Sequence, residues 1–217
     1  MIKGVIFDMD GLMFDTERIW ATLWEPALAT LGLPYKEGLD VAARGSAGDS
    51  MRAVLRRFYG PGCDPDAIME ALHRQADTAF QAPPPKKPGL DELLDWLDAH
   101  QIPMVVASSS RKASILHHLD GWQMTGRFKA VISGQQVTAS KPDPQIFLLA
   151  AQALGTAPAE TLVLEDSYNG VRAGAAGGFV TVMVPDLSPA TDEMRRLYTA
   201  ECKDLHEVQR MLEEGKL

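Results

Sequence analysis

The chain has 217 residues, of which 46% are hydrophobic and 23% are charged, a composition typical of a globular protein with a large buried core. Its formal net charge of -8 argues against nucleic acid or an anionic membrane as the main partner. No apolar run approaches the roughly 18 residues that span a bilayer, and no basic region followed by an apolar run opens the chain. We therefore expect no membrane segment, no signal peptide and a cytoplasmic location.

The first predicted strand, residues 5–8, ends in a carboxylate and is followed by a second one. Side chains at positions i and i+2 of extended backbone project to the same face, so Asp8 and Asp10 should both point out of the carboxyl end of this strand. Gly11 then allows a sharp turn. Two carboxylates held this close repel each other unless a cation or a shared proton joins them. The pair suits a metal-assisted nucleophile with a nearby acid/base.

The segment between the first and second predicted strands reads as helical. Apolar patterns predict helices over residues 17–31, 49–58 and 65–80, and Asp15-Thr16 is a candidate cap for the first of them. A crossover between parallel strands needs only a dozen or so residues plus its helix. We therefore predict an inserted helical domain over residues 15–83 and a core domain made of residues 1–14 and 84–217. The proline-rich residues 82–89 predict a stiff linker on the return side.

The rest of the chain alternates strands with helices. Short, β-branched and nearly continuous apolar runs predict strands over residues 104–107, 130–133, 162–165 and 180–184. Helical patterns cover residues 90–99, 144–154 and 169–176. This alternation predicts an α/β fold with a parallel sheet and right-handed crossovers.

Polar residues follow the ends of the predicted strands, which meet at one edge of a parallel sheet, where ligands of open α/β sheets bind. They are Asp8, the run Ser108-Ser109-Ser110, Lys141 in a Ser-Lys-Pro-Asp-Pro loop, and Glu165-Asp166. A carboxylate such as Asp8 can attack phosphorus and form an acyl phosphate, and Asp10 fits the acid and base steps. Mg²⁺ binds through oxygen ligands of this kind.

Each of these signals also has an ordinary structural interpretation. Asp166 could cap the following helix, the serine run could be a solvated turn, and Lys141 could be a surface lysine. If the serines bind phosphate, the helix that starts near Arg111 adds its N-terminal dipole. The joint pattern favours a site, because four weak signals fall in order on successive strand ends.

Other residues that often carry chemistry give no pattern. The two cysteines, Cys63 and Cys202, lie outside any CxxC motif and read as thiols in a reducing compartment. The five histidines lack metal-ligand spacing, and we interpret them as structural or surface residues: His73, His100, His117, His118 and His206.

Taken together, these motifs resemble those of the haloacid dehalogenase superfamily of aspartyl-phosphate phosphohydrolases. The resemblance rests on Asp8-Met9-Asp10-Gly11, Ser108, Lys141 and Glu165-Asp166-Ser167-Tyr168-Asn169-Gly170, and it extends over essentially the whole chain. It implies a Rossmann-like parallel-sheet core with an inserted helical-bundle cap domain. The cap resembles that of the subgroup containing phosphoglycolate phosphatase, sugar-phosphate phosphatases and β-phosphoglucomutase.

The resemblance also implies residue roles. Asp8 would be the nucleophile and a Mg²⁺ ligand, and Asp10 the acid/base with its main-chain carbonyl on the metal. Ser108 and Lys141 would hold the transferring phosphoryl group, while Glu165 and Asp166 complete the metal site. We expect Gly11, Ser109, Ser110, Trp20, Trp24, Arg44, Gly45 and Ser46 to bind substrate. For the cap residues among these, packing of the cap core or a plain turn is the alternative.

The choice between phosphatase and phosphomutase depends on the cap. Where similar mutases carry a cap histidine and a cap arginine for a second phosphate, this sequence has Trp20 and Gly48, with Arg44 nearby. Losing a phosphate-binding cation should weaken a bisphosphate-handling enzyme. We therefore predict a Mg²⁺-dependent, monomeric phosphatase of small phosphorylated metabolites, plausibly sugar phosphates. A phosphomutase and a non-catalytic phospho-ligand binding protein are the alternatives.

Overall fold

The computed structural model describes residues 1–217, and its centre is a single six-stranded sheet. The strands are β1 (Gly4–Phe7), β2 (Met104–Ser108), β3 (Ala130–Ser133), β4 (Thr161–Glu165), β5 (Val180–Met183) and β6 (Ala200–Glu201). All pairs are parallel, in the order β3-β2-β1-β4-β5-β6. The predicted α/β class with a parallel sheet is confirmed. Each of the five predicted strands is present within one residue at either end, and only the two-residue β6 was missed.

The chain also forms ten helices. They are α1 (Glu17–Ala29), α2 (Leu39–Ala43), α3 (Gly48–Tyr59), α4 (Pro65–Ala79), α5 (Leu90–Ala99), α6 (Lys112–Gly121), α7 (Gln145–Leu154), α8 (Tyr168–Ala176), α9 (Asp192–Leu197) and α10 (Leu205–Glu213). All predicted helices are present, while α2, α9 and α10 were not foreseen. None of the ten combines the length and the apolar character that crossing a bilayer requires.

The sheet is buried on both faces, which explains why its strands read as continuous apolar runs. Val5 and Phe7 of β1 face a layer that includes α5 and α10, whereas Ile6 faces α7. All four residues of β1 are buried, and β1 lies between β2 and β4. Because the chain adds strands to one side of β1 and then to the other, the crevice at its carboxyl end is the topological switch point.

Helices α1 to α4 have a hydrophobic cluster of their own. Its buried members all lie between Leu23 and Phe80, separate from the clusters that cover the sheet. Two backbone hydrogen bonds join the segment that follows β1 to the segment that precedes α5. Asp15 N–H donates to Pro85 O (2.8 Å), and Lys87 N–H donates to Met13 O (2.8 Å). We propose that residues 15–83 form a cap domain joined to the core through this paired crossing.

An ionic contact braces the same crossing. Asp186, in the loop after β5, accepts from Lys87 of the return segment (2.7 Å) and from Arg18 of α1 (3.1 Å). The predicted cap of α1, in contrast, is wrong. Thr16 occupies the N-cap position but its side chain makes no capping hydrogen bond, and its buried Oγ1 has no partner. Asp15 pairs with Arg18 instead, because the chain enters the helix in a helical conformation that points the Thr16 hydroxyl inward.

Gly89, which precedes α5, provides a test of how the core is closed. It has φ +85°, and an added Cβ would lie 2.3 Å from the backbone nitrogen of His206. Gly155, which ends α7 with φ +79°, has no atom near its Cβ position. Gly89→Ala should therefore destabilise the protein by about 3 kcal/mol, and Gly155→Ala by only about 1 kcal/mol, the conformational penalty alone. Urea unfolding measures both; equal losses would contradict the close packing of α10 on this turn.

Candidate active site

A buried loop after β1 positions the two aspartates. The Asp8 N–H donates to Leu164 O of β4 (3.0 Å), so the ladder of β1 continues through the first carboxylate. Gly11 adopts φ +82°, and the turn closes with Met13 N–H donating to Met9 O (3.0 Å). The apolar side chains of this loop are buried: Met9, Leu12, Met13 and Phe14. The carboxylates are therefore presented by a packed turn.

Lys141 makes the central contacts of the site. Its Nζ donates to Asp8 Oδ1 (2.6 Å) and to Glu165 Oε1 (2.6 Å), and the side-chain exposures of these three residues are 3%, 8% and 1%. The two carboxylates stand at the ends of β1 and β4, which are neighbours in the sheet. Burial lowers the pKa of Lys141, but the charges of Asp8 and Glu165 outweigh it, so the pKa lies above its usual value and the lysine stays charged.

Serine hydroxyl groups donate hydrogen bonds to Asp10 and to the second carboxylate oxygen of Glu165. Ser110 Oγ and Ser108 Oγ both donate to Asp10 Oδ2, at 2.7 and 3.2 Å. Ser167 Oγ donates to Glu165 Oε2 (2.9 Å) and also accepts from Gly170 N–H, which makes Ser167 the N-cap of α8. Asp166 is therefore not the cap of that helix.

The site has more negative charge than its protein partners balance. The Asp8 pKa is raised to about 8, first by burial and then by Glu165 and Asp10, against the opposing effect of Lys141. Burial and the charges of Glu165 and Asp8 also raise the pKa of Asp166 well above its usual value. Holding several ionised carboxylates together requires a further cation.

No three carboxylate, histidine or cysteine side chains are arranged to hold a metal ion by themselves, so a divalent cation here would need backbone, water or substrate oxygens beside the carboxylates. The carboxylate of Asp166 lies against the turn at Gly11, where an added Cβ would be 2.3 Å from its Oδ2. Asp10 Oδ1 is buried and has no hydrogen-bond partner. Glu165 has both oxygens engaged, one by Lys141 and one by Ser167. Of the predicted ligands Asp8, Asp10, Glu165 and Asp166, the geometry leaves Glu165 least free to bind metal.

A cavity of about 840 Å³ opens over these groups, between the core and helices α1 to α4. Nearly every predicted site residue lines it: Asp8, Asp10, Trp20, Trp24, Arg44, Gly45, Ser46, Ser108, Ser109, Ser110, Lys141, Glu165 and Asp166. Gly11 is the exception, because it lies behind the aspartates and serves as the turn that lets Asp166 approach. Trp24 is only 4% exposed and belongs mainly to the cap cluster, as the packing alternative predicted.

The loop after α2 contacts the core directly. Gly45 has φ +63°, and an added Cβ there would lie 2.6 Å from Ser167 Cβ. Gly45 O accepts from Asn169 Nδ2 (3.2 Å). Arg44 donates to Asp40 Oδ2 (3.2 Å) and to Leu187 O (3.4 Å), so its guanidinium is already engaged by both the cap and the core. In this structure the cap rests on the core around the cavity.

The cavity is also lined by residues that were not foreseen as site residues, among them Glu17, His73 and His118. His118 is buried, with an unpartnered Nδ1, and it lines the cavity together with His73. The interpretation of these two histidines as structural or surface residues stays a prediction. Glu17, which also faces the cavity, has its pKa raised to about 7 by burial and by the charge of Asp10. Glu17, His73 and His118 lie on α1, α4 and α6, so the folding of the chain brings them to one cavity. Their spacing in the sequence does not predict this.

Comparison with known proteins agrees with this geometry. Residues 5–184 match the model of the haloacid dehalogenase-like hydrolases. The chain belongs to this family. It is 30% identical to the fructose-1-phosphate phosphatase YqaB of Escherichia coli (83% of this chain, 95% of the relative) and 28% identical to the β-phosphoglucomutase of Bacillus subtilis (87% and 85%).

A solved structure extends the likeness to the whole fold. The β-phosphoglucomutase of Clostridium difficile superposes with a TM-score of 0.83 at 18% identity, covering 100% of this chain and 97% of the other. The core therefore has the Rossmann-like fold of haloacid dehalogenase-like proteins. Several curated relatives of the chain are named as phosphatases.

Replacing Lys141 tests the central ion pairs. Lys141→Met should destabilise the protein by about 3–5 kcal/mol in the absence of divalent metal, because two buried carboxylates lose the cation that joins them. Lys129→Met, which removes one hydrogen bond to Leu154 O, is the matched control and should cost about 1 kcal/mol. Urea unfolding in EDTA measures both, and similar losses would argue against a central role for Lys141.

Glu17 predicts a pH dependence. Its folded pKa of about 7 lies above the reference value of 4.5, so between these values the folded state binds more protons than the unfolded state. Stability should therefore fall as pH rises through this window. Glu17→Gln has no proton to lose, so in EDTA it should match the wild type near pH 4.5 and exceed its melting temperature above pH 7. A difference that does not vary with pH would contradict the assignment.

Proposed function

We propose that the protein is a Mg²⁺-dependent phosphatase that hydrolyses small phosphomonoesters of the sugar-phosphate class through an aspartyl-phosphate intermediate. One observation carries the proposal: Lys141 fixes Asp8 at the floor of a cavity, with Asp10 held beside it by two serine hydroxyls. A nucleophile, an acid/base group and a buried cation thus face one enclosed space. The name of the fructose-1-phosphate phosphatase relative supports the sugar-phosphate class.

In the first step, a carboxylate oxygen of Asp8 attacks phosphorus and forms an acyl phosphate while the bond from phosphorus to the leaving oxygen breaks. Asp10 donates a proton to that oxygen, so the product leaves as an alcohol. Lys141 keeps Asp8 oriented and offsets the negative charge that approaches it. Ser108 and the backbone around Ser110, at the start of α6, are the proposed contacts for the phosphoryl oxygens.

In the second step, water attacks the phosphorus of the acyl phosphate. Asp10, now ionised, takes a proton from this water, and the bond from phosphorus to the Asp8 oxygen breaks to release inorganic phosphate. Asp8 and Asp10 thereby return to their starting protonation states. Closure of the cap excludes water during the first step, and opening admits it for the second. The paired crossing at residues 13–15 and 85–87 is the proposed hinge.

Phosphatases of this family generally use Mg²⁺, and the carboxylate-rich floor of the cavity supports the same metal here. Asp8, Asp166 and the main-chain carbonyl of Asp10 are the proposed metal ligands. Glu165 would support the site through its hydrogen bonds with Lys141 and Ser167 and through its negative charge beside these ligands. When bound, Mg²⁺ neutralises the phosphate and the carboxylates that face it.

The pairing of Arg44 and the absence of a side chain at Gly48 favour hydrolysis over mutase chemistry. Arg44, which lies near Gly48 in the sequence, is paired with Asp40 and with the carbonyl of Leu187. Gly48 provides no side chain, and its Cβ position lies 3.6 Å from Ser140 Oγ. The relative named β-phosphoglucomutase keeps mutase activity as the second candidate.

Asp8→Asn tests the nucleophile. It should lower phosphate release by about 10³-fold or more, because an amide neither attacks phosphorus effectively nor forms the acyl phosphate. Thermal unfolding should remain cooperative, since the side chain keeps its shape. Asp192→Asn, at the exposed start of α9, is the control and should keep wild-type turnover. Full activity of Asp8→Asn would overturn the mechanism.

The same assay separates the two candidates when it includes a sugar monophosphate with and without its bisphosphate. A phosphatase releases inorganic phosphate from the monophosphate at a rate that the bisphosphate does not raise. Isomerisation of the monophosphate faster than phosphate release, and only after priming by bisphosphate, would identify a mutase instead.

A further inference from the structure

A row of aromatic rings forms one wall of the cavity. Centroid distances of 6.1, 5.0, 5.3 and 6.4 Å join Phe14 to His118, His118 to Phe80, Phe80 to Trp20, and Trp20 to His73. We call these five residues the aromatic row. All except Phe14 line the cavity. Neighbouring rings at these distances prefer edge-to-face or offset contacts, as most of these pairs show.

The row runs from the reaction centre to the rim. Phe14, the first member of the row, lies beside the acid/base group, because its backbone forms a β-bridge with that of Asp10. At the other end, His73 Nδ1 lies 2.9 Å from an Nη atom of Arg111, an exposed residue at the start of α6. The wall therefore begins at the acid/base group and ends at a polar pair.

The cavity is larger and more apolar than a sugar phosphate alone requires. Its volume of about 840 Å³ is near the upper end for small-molecule sites, which run from roughly 300 to 1,000 Å³. Beside Trp20, the cavity is also lined by Met51, Met69 and Leu72 of the cap. A phosphoryl group and one sugar would occupy the polar floor and leave the half-buried side chains of Trp20, Met51 and Met69 facing water. Large apolar surfaces kept in a cavity usually mark a ligand group that covers them.

Trp20 is the member of the row best placed to contact such a group. It is half-buried, packed by Phe80 on one side and by the edge of His73 on another. Its indole N–H donates to no protein atom, whereas the Trp122 indole N–H donates to Pro84 O. The remaining surface of Trp20 thus offers an aromatic face and one free donor to the cavity.

We propose that the cavity selects phosphomonoesters whose leaving alcohol carries a planar aromatic ring, with the phosphate at Asp8 and the ring against Trp20. Nucleoside 5′-monophosphates, in which a sugar separates the phosphate from a flat base, have this chemistry. The sugar lies over the polar floor, and the base lies against Trp20 with its polar edge toward His73 and Arg111, because Phe80 and His118 are already buried by the protein. The inference rests on the proposed phosphatase function and narrows its substrate class.

Adenosine 5′-monophosphate and ribose 5-phosphate form a matched pair of probes that differ in the base. With Mg²⁺ present, the KM for the nucleotide should be about tenfold lower, as expected for one base stacked on one aromatic side chain. Trp20→Ala should bring the two KM values together, and Trp20→Phe should keep most of the difference. Trp96→Ala, which removes an indole stacked on His100 outside the cavity, should leave the tenfold ratio unchanged.

Tryptophan fluorescence provides a readout that does not need turnover. In the Asp8→Asn background, adenosine 5′-monophosphate should quench emission and ribose 5-phosphate should not. The double variant Asp8→Asn with Trp20→Phe should lose most of that quenching.

The outcomes separate the inference from the function. Hydrolysis of both probes with equal KM values, or a ratio that Trp20→Ala leaves intact, overturns the inference while the phosphatase function stands. Failure to hydrolyse either probe or any other phosphomonoester overturns the proposed function. In that case the quenching experiment still tests whether the nucleotide binds against Trp20. Absence of quenching by the nucleotide would overturn the inference as well.

Discussion

The buried ion pairs of Lys141 hold together the part of the structure on which everything else depends. Asp8 lies 133 positions from Lys141 in the chain and Glu165 lies 24 positions from it, yet both accept from the same ammonium group. Removing these charges from water costs several kcal/mol for each ion, so the arrangement is stable only if each remains paired. This requirement fixes the loop after β3 against the ends of β1 and β4 and thereby sets the floor of the cavity.

The same floor is electrostatically incomplete without a further cation. Burial and mutual repulsion raise the pKa values of Asp8 and Asp166, and Glu17 adds a further carboxyl group with a raised pKa. Such a cluster lowers stability, which is commonly the cost of a functional site. The same charge favours binding of a cation, which is the basis of the proposed metal and phosphate sites. The same excess of negative charge therefore lowers the stability of the fold and supports the proposed catalysis.

The cap contributes more than a cover to this site. Gly45 packs against Ser167 of the core, and the aromatic row joins His118 of the core to Phe80, Trp20 and His73 of the cap. In this arrangement a polar floor and a partly apolar wall face one cavity. A ligand that contacts both surfaces would favour the closed cap, because only the closed arrangement presents them at once.

The strands, most helices and the polar groups at the strand ends could be predicted from the sequence, because they depend on local periodicity and on the fixed direction of parallel strands. The family was predicted correctly as well. The folded structure was needed to show that Ser108 and Ser110 donate to Asp10, that Ser167 and not Asp166 caps α8, and that Thr16 leaves α1 uncapped. The aromatic row likewise needed the folded cap and core. Each depends on the packing and backbone geometry of the folded chain, which short-range patterns do not encode.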